Sequence, residues 1–136
     1  MPMKYLSYII VFCLGVFLLT CATPNTVSDQ SKKEEPVVIA NDSLEYEIII
    51  IDLGFNNYLN TIARPVGFYS QQYLENRNQF YVAMWNARVN NPFAFDPNIY
   101  ENIIDYDSNI DYGYEVNYKL FNYFEFAQRK YRMRLR

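Results

Sequence analysis

Residues 44–136 predict a small α+β domain: a two- or three-stranded sheet covered by about three helices, in the order β-α-α-β-α. Three observations predict it. One is the unbroken run Ile48-Ile49-Ile50-Ile51. The second is an apolar stripe of helical spacing that follows Ser70 and stops at Asn90-Asn91-Pro92. The third is a C-terminal stripe with acidic residues at its start and basic residues at its end.

Consecutive isoleucines are stiff at χ1, which favours a strand, and without polar alternation they imply cover on both faces. Glu45–Asp52 is therefore the expected central strand. Val37–Ala40 is a candidate short edge strand, with Asn41-Asp42 as the turn after it. Leu53-Gly54 turns the chain, and Phe55, Tyr58, Leu59 and Ile62 then fall on one side of a short helix, which Pro65 stops. Ser70 is the expected N-cap of a longer helix reaching about Val89. Its stripe is Tyr73, Leu74, Phe80, Tyr81, Met84 and Trp85, and Asn90-Asn91-Pro92 closes it. Ile99–Tyr106 reads as a second strand. The last helix, about Asp111 to Arg134, carries Val116, Leu120, Phe124, Ala127 and Tyr131 at intervals of three or four. Asp107, Asp111 and Glu115 stand at its positive end and Arg129, Lys130, Arg132, Arg134 and Arg136 at its negative end, each favourable by about 0.3–1 kcal/mol when exposed.

The stretch before this domain reads as an address. Lys4 precedes the apolar run Tyr8–Leu19, which ends at Leu18-Leu19-Thr20-Cys21. Twelve apolar residues span roughly 18 Å as helix, short of the ~30 Å that a permanent crossing requires, so a cleaved signal is expected over residues 1–20. A branched apolar residue three places before a cysteine is the pattern of a lipoprotein signal, although Thr20 is bulkier than the small residue usual there. Cys21 is thus the expected lipidation site. Two or more acyl chains hold a protein stably on a membrane, where one holds it only marginally. Residues 21–43 are polar, with Pro24, Lys32-Lys33-Glu34-Glu35 and Pro36, and read as a flexible tether.

Composition narrows the function classes. The chain has 136 residues and a net charge of −3, which argues against a nucleic-acid binder. Histidine is absent, and Cys13 would leave with the signal, so a Ser–His or Cys–His nucleophile and a thiolate metal site are excluded. Four glycines leave no phosphate-cradling loop. Asp52, Asp96, Glu101, Asp105 and Glu115 keep a two-carboxylate hydrolase chemically conceivable. The acidic stretch Asp105–Glu115 has oxygen side chains at alternate positions, as calcium loops do. Counted from Asp105 or from Asp107, however, it lacks both the sixth-position glycine and the twelfth-position glutamate. A loop that caps the last helix accounts for the same residues. No metal or other cofactor is expected.

Fourteen tyrosines, fifteen asparagines and the single Trp85 also suit a carbohydrate surface. Tyr69, Tyr112, Tyr114 and Tyr118, beside loops and helix ends, are the expected exposed rings and the candidate partner-binding residues. The segments EYEIIIIDLGFNNYLNTIARPVGFYS, YLENRNQFYVAMWNARV and DSNIDYGYEVNYKLFNYFEFAQRKY resemble an uncharacterised family of small lipoproteins of the flavobacterial type. The resemblance spans Glu45 to about Tyr131 and implies an envelope lipoprotein, with no activity, ligand or catalytic residue to transfer. The expectation is a non-enzymatic binding or adaptor module, membrane-anchored through Cys21 in the cell envelope and presenting its domain to an envelope protein. A glycan- or peptidoglycan-binding module is the alternative.

Overall fold

The computed structural model describes residues 35–136. Strands β1 (Val37–Asn41) and β2 (Tyr46–Ile50) form a two-stranded antiparallel hairpin, and three helices follow: α1 (Phe55–Thr61), α2 (Gln71–Val89) and α3 (Gly113–Lys130). The class is α+β as expected, but the order is β-β-α-α-α.

The hairpin closes through one turn of 3-10 helix, Asp42–Leu44, in which the Asn41 side chain accepts from the Ser43 N–H at 3.0 Å. Glu45 takes the left-handed conformation that ends this turn (φ 52°). The register sets Val37 against Ile50, Ile39 against Ile48 and Asn41 against Tyr46. Paired residues share a face, and this set lies inward, with Ile39 and Ile50 buried. The other face carries Val38, Glu47 and Ile49, all exposed. This corrects the expectation of a central strand covered on both faces. Within the isoleucine run only alternate residues are covered, and Ile49 and Ile51 are 54% and 74% exposed.

The organising element is α3, which packs against β1, α1 and α2. Its buried residues surround most of its circumference, Val116, Leu120, Phe124 and Ala127 among them, as the stripe foretold. Against it α1 sets Phe55, whose ring lies 5.5 Å from Tyr123 and 5.4 Å from Phe126, and Tyr58, 5.6 Å from Phe126. Gly54 makes the turn into α1 at φ 96°, a conformation that a β-carbon disfavours. Helix α2 is capped by Ser70 Oγ, which accepts from Tyr73 N–H at 3.2 Å. Its buried face is Leu74, Asn78, Tyr81, Val82 and Trp85. Tyr73 and Phe80, expected inside, sit on the rim and remain 42% and 43% exposed.

The α2–α3 contact includes two buried amides. Asn78 Nδ2 donates to the Asn117 carbonyl at 2.9 Å and to its Oδ1 at 3.1 Å, and the same Oδ1 accepts from the Tyr106 hydroxyl at 2.7 Å. Asn117 Nδ2 in turn donates to the Gly113 carbonyl at 2.9 Å. Asn78 Oδ1 is left without a partner among the described residues, and the bonds that do form fix the register between the two helices.

Ile99–Tyr106 is not a strand. Its backbone is satisfied by α2 side chains instead: Asn86 Nδ2 donates to the Ile104 carbonyl at 2.8 Å, the Ile104 N–H donates to Asn86 Oδ1 at 2.9 Å, and Trp85 Nε1 donates to the Asn102 carbonyl at 3.0 Å. The last helix also stops sooner than expected, with its C-cap at Tyr131 and Arg132 at φ 50°. The chain then folds back so that Leu135 is buried and its N–H donates to Gln128 Oε1 at 3.0 Å.

Candidate binding site

The four candidate tyrosines are pins rather than projecting rings. Tyr112 is buried, its ring 4.4 Å from Tyr46 and stacked on Tyr106 at 4.9 Å, and its hydroxyl accepts from the Asp107 N–H at 3.0 Å. Tyr118 is buried and donates to the Arg64 carbonyl at 2.6 Å. Tyr114 is half-buried; its hydroxyl accepts from the Gly67 N–H at 2.8 Å and donates to the Tyr69 carbonyl at 3.1 Å. Tyr69 is half-buried against Tyr73 and Phe121. Tyr69, Tyr114 and Tyr118 together fasten the 64–69 loop onto α3, while Tyr112 secures the start of that helix. The expected exposure is corrected for Tyr112 and Tyr118, which are buried because helix-start rings pack where a turn needs an anchor, whereas Tyr69 and Tyr114 are half-buried. Cys21, the expected lipidation site, lies outside the described residues.

The acidic stretch is used in the domain's own hydrogen bonds, among them one from Gln71 Nε2 to Asp111 Oδ1 at 2.8 Å. Asp107 Oδ1 accepts from the N–H and side chain of Asn109, both at 2.8 Å, and Asp111 Oδ1 accepts from the Gly113 N–H at 2.9 Å, one of the unpaired donors that open α3. Among the described residues, no three His, Cys, Asp or Glu converge in a way that would hold a metal ion.

One concave surface lies along β2. A cleft of about 530 Å³ runs between Ile48–Asp52 and the 98–104 segment, with Leu120 and Tyr123 of α3 among its walls. Two of the sequence-flagged carboxylates, Asp52 and Glu101, line it. Asp52 is engaged: its Oδ2 accepts from the Tyr131 hydroxyl at 2.9 Å and its Oδ1 pairs with Lys130 Nζ, which also donates to the Leu53 carbonyl at 2.8 Å. Glu101 is exposed and forms no ion pair among the described residues. The others lie elsewhere: Asp96 bonds the Asn98 N–H and side chain, Glu115 pairs with Lys119 at 2.7 Å, and the Asp105 carbonyl accepts from the Tyr46 hydroxyl at 2.7 Å.

The β2 side of this cleft is an open sheet edge. The Val38 carbonyl accepts from Lys119 Nζ at 3.1 Å, so Val38 directs its backbone groups away from β2. Val38 stands opposite Ile49, and in an antiparallel ladder inward and outward pairs alternate. Ile49 and Glu47 therefore present N–H and C=O to the outer edge. Among the described residues, β2 has β1 as its only partner strand. Sequence reasoning missed this edge because it placed the isoleucine run at the centre of a sheet. The available signal was that Val37–Ala40 was the only other strongly β-branched segment beside it.

The cleft also shapes its tyrosines. Burial, then the hydrogen bond and charge of Asp52, push the Tyr131 hydroxyl up to about 12, and burial followed by the Asp52 charge raises Tyr123. Burial, then the Glu75 charge, likewise pushes Tyr106 up to about 12. Unfolded tyrosine ionises near 10, so both Tyr131 and Tyr106 bind their protons more tightly when folded. Their stabilising contribution is whole below pH ~10 and is lost as pH rises from there through about 12. Urea midpoints measured with phenolate absorbance are expected to fall across that interval, and a flat midpoint would contradict the burial of these hydroxyls.

One aromatic helix, with an open-edged hairpin beside a cleft, defines a small α+β domain. A family model for a family of unknown function (DUF6146) matches residues 8–136, and the chain belongs to that family. Comparison with curated proteins and with solved structures gives no match.

Proposed function

We propose that the protein is a lipid-anchored component of the cell envelope, held through Cys21, whose folded part is a non-enzymatic adaptor. It receives an extended segment of an envelope protein along the outer edge of β2. The observation that carries this reading is the unpaired edge at Glu47 and Ile49, flanked by exposed Ile49, Ile51 and Leu53 beside the cleft. An open, apolar edge is a template for strand addition, in which main-chain bonds give affinity and alternate side chains give specificity. The cleft lining holds Asp52 and Glu101 and no lysine or arginine, so the fitting segment alternates apolar residues and carries a basic one for Glu101. Among the described residues no helix is long and apolar enough to cross a membrane, so the reading assigns membrane residence to the acylated cysteine.

The test is a photo-crosslinking residue at Ile51 in the full chain, in native membranes. A protein adduct is expected there and not from exposed Gln79 on α2. Ile49→Pro removes an outward N–H without touching the β1 ladder, so the variant should fold and the adduct should disappear. An adduct that survives Ile49→Pro would refute strand addition. A glycan in the same cleft is the second reading, favoured because Asn98, Asn102, Glu101 and Tyr131 give its lining the amide, carboxylate and ring groups that sugars use. It predicts binding of soluble peptidoglycan fragments that is lost in Asn102→Ala and indifferent to Ile49→Pro.

A further inference from the structure

A second groove, of about 630 Å³, lies where the folded-back C-terminal residues meet α2 and α3. Arg77, Arg129, Arg134 and Arg136 line it, against one carboxylate, Glu125, whose Oε1 is already taken by the Tyr81 hydroxyl at 2.7 Å. None of these four guanidinium groups forms an ion pair within the described residues, whereas Lys119 and Lys130 both do. Arg77 is the fixed member. Its guanidinium lies over the Tyr81 ring at 4.6 Å and donates to the Tyr81 hydroxyl, and its Nε is buried without a partner. Apolar surface adjoins the charges: Phe80, 43% exposed, and Met133 are part of the same lining.

Four guanidiniums facing a single carboxylate leave the groove with an excess of positive charge, and an oxyanion relieves their mutual repulsion while accepting from several planar forks at once. A small free anion would leave Phe80 and Met133 unused. We propose that this groove binds the phosphodiester of an anionic phospholipid headgroup, with the apolar residues against the adjoining glycerol and acyl carbons. This assignment is independent of acylation at Cys21.

The full chain tests it in nanodiscs, with disc-bound protein isolated before reaction. Arginine modification by phenylglyoxal is followed residue by residue, in phosphatidylcholine discs and in discs with added phosphatidylglycerol. Arg129, Arg134 and Arg136 are expected to be protected in the anionic discs by about fivefold for each arginine engaged, with Arg64, outside the groove, unchanged. In Arg134→Gln/Arg136→Gln, which alters exposed positions only, protection of Arg129 should fall toward that of neutral discs. Equal rates in both discs, equal protection of Arg64, or protection of Arg129 that survives the double substitution would overturn the site. Protection by inorganic phosphate in neutral discs, with none from phosphatidylglycerol, would overturn the lipid and assign the groove to a free phosphate ester.

Discussion

Cys21→Ala is expected to abolish incorporation of labelled palmitate and to move the protein from the carbonate-resistant membrane pellet to the released fraction. Each buried methylene contributes about 0.8 kcal/mol, and stable residence takes two acyl chains. A variant without the thiol keeps only the apolar run Tyr8–Leu19, fewer residues than the roughly twenty that a ~30 Å hydrocarbon core requires. Such a segment is a weak hold. The wild-type protein is expected to begin at an acylated Cys21 by mass spectrometry. An unlabelled wild-type chain that still carries residues 1–20, or a variant that stays in the pellet, would remove the basis for the anchor.

Phe124→Ala is expected to be the most damaging substitution in the domain. Phe124 is completely buried on the face of α3 that meets α2, its ring 5.4 Å from Tyr81, 5.9 Å from Trp85 and 6.0 Å from Tyr123. These neighbours are large rings on helical backbones and have little freedom to collapse into the space left. Removing a buried phenyl costs about 3–5 kcal/mol when the cavity persists. Domains of this size are stable by only about 5–15 kcal/mol, so at least a fifth of the total is at stake. At roughly 4–8 °C per kcal/mol the melting midpoint should drop by more than ~12 °C. Phe93→Ala, at a ring in full contact with solvent, should leave the midpoint where it is. Comparable shifts for the two would mean that α3 is not the centre of the core.

How far the sequence revealed this architecture depended on the kind of signal each segment carried. Helices α2 and α3 were legible because Ser70 caps one and because Val116, Leu120, Phe124 and Ala127 recur with helical spacing along the other. The isoleucine run correctly marked a strand but not its surroundings. A run without alternation reads the same whether both faces are covered or one is left open, and here the second face had no layer to meet. Ile99–Tyr106 was misread because β-branched and aromatic residues normally signal a ladder. In this chain Tyr100 and Ile104 are buried from an irregular backbone, whose polar groups Asn86 and Trp85 satisfy from the neighbouring helix. No local pattern announces that Asn86, 18 residues before Ile104, will substitute for a strand.

The candidate sites were less legible for a related reason. The tyrosines chosen as exposed lie beside turns, and position in sequence does not say whether a hydroxyl meets water or a carbonyl. Asp52 and Glu101 were both noticed as carboxylates, yet their sharing of one cleft depends on the path of the 98–104 segment. Three of the arginines of the second groove, Arg129, Arg134 and Arg136, were visible in the sequence as part of a basic helix end. That they converge with Arg77 follows from the left-handed turn at Arg132, which sends the final residues back toward α2.

The connection between α2 and α3 is secured at separate points, Asn102, Ile104, Asp105 and Asp107, rather than by a continuous ladder. Upstream of them, around Phe93 and Ala94, the backbone is bonded only to its own turn at Asn91. Length changes at this bend are expected to be absorbed before Phe95 and Tyr100, which Arg88 holds, so an epitope grafted there should leave the helices undisturbed.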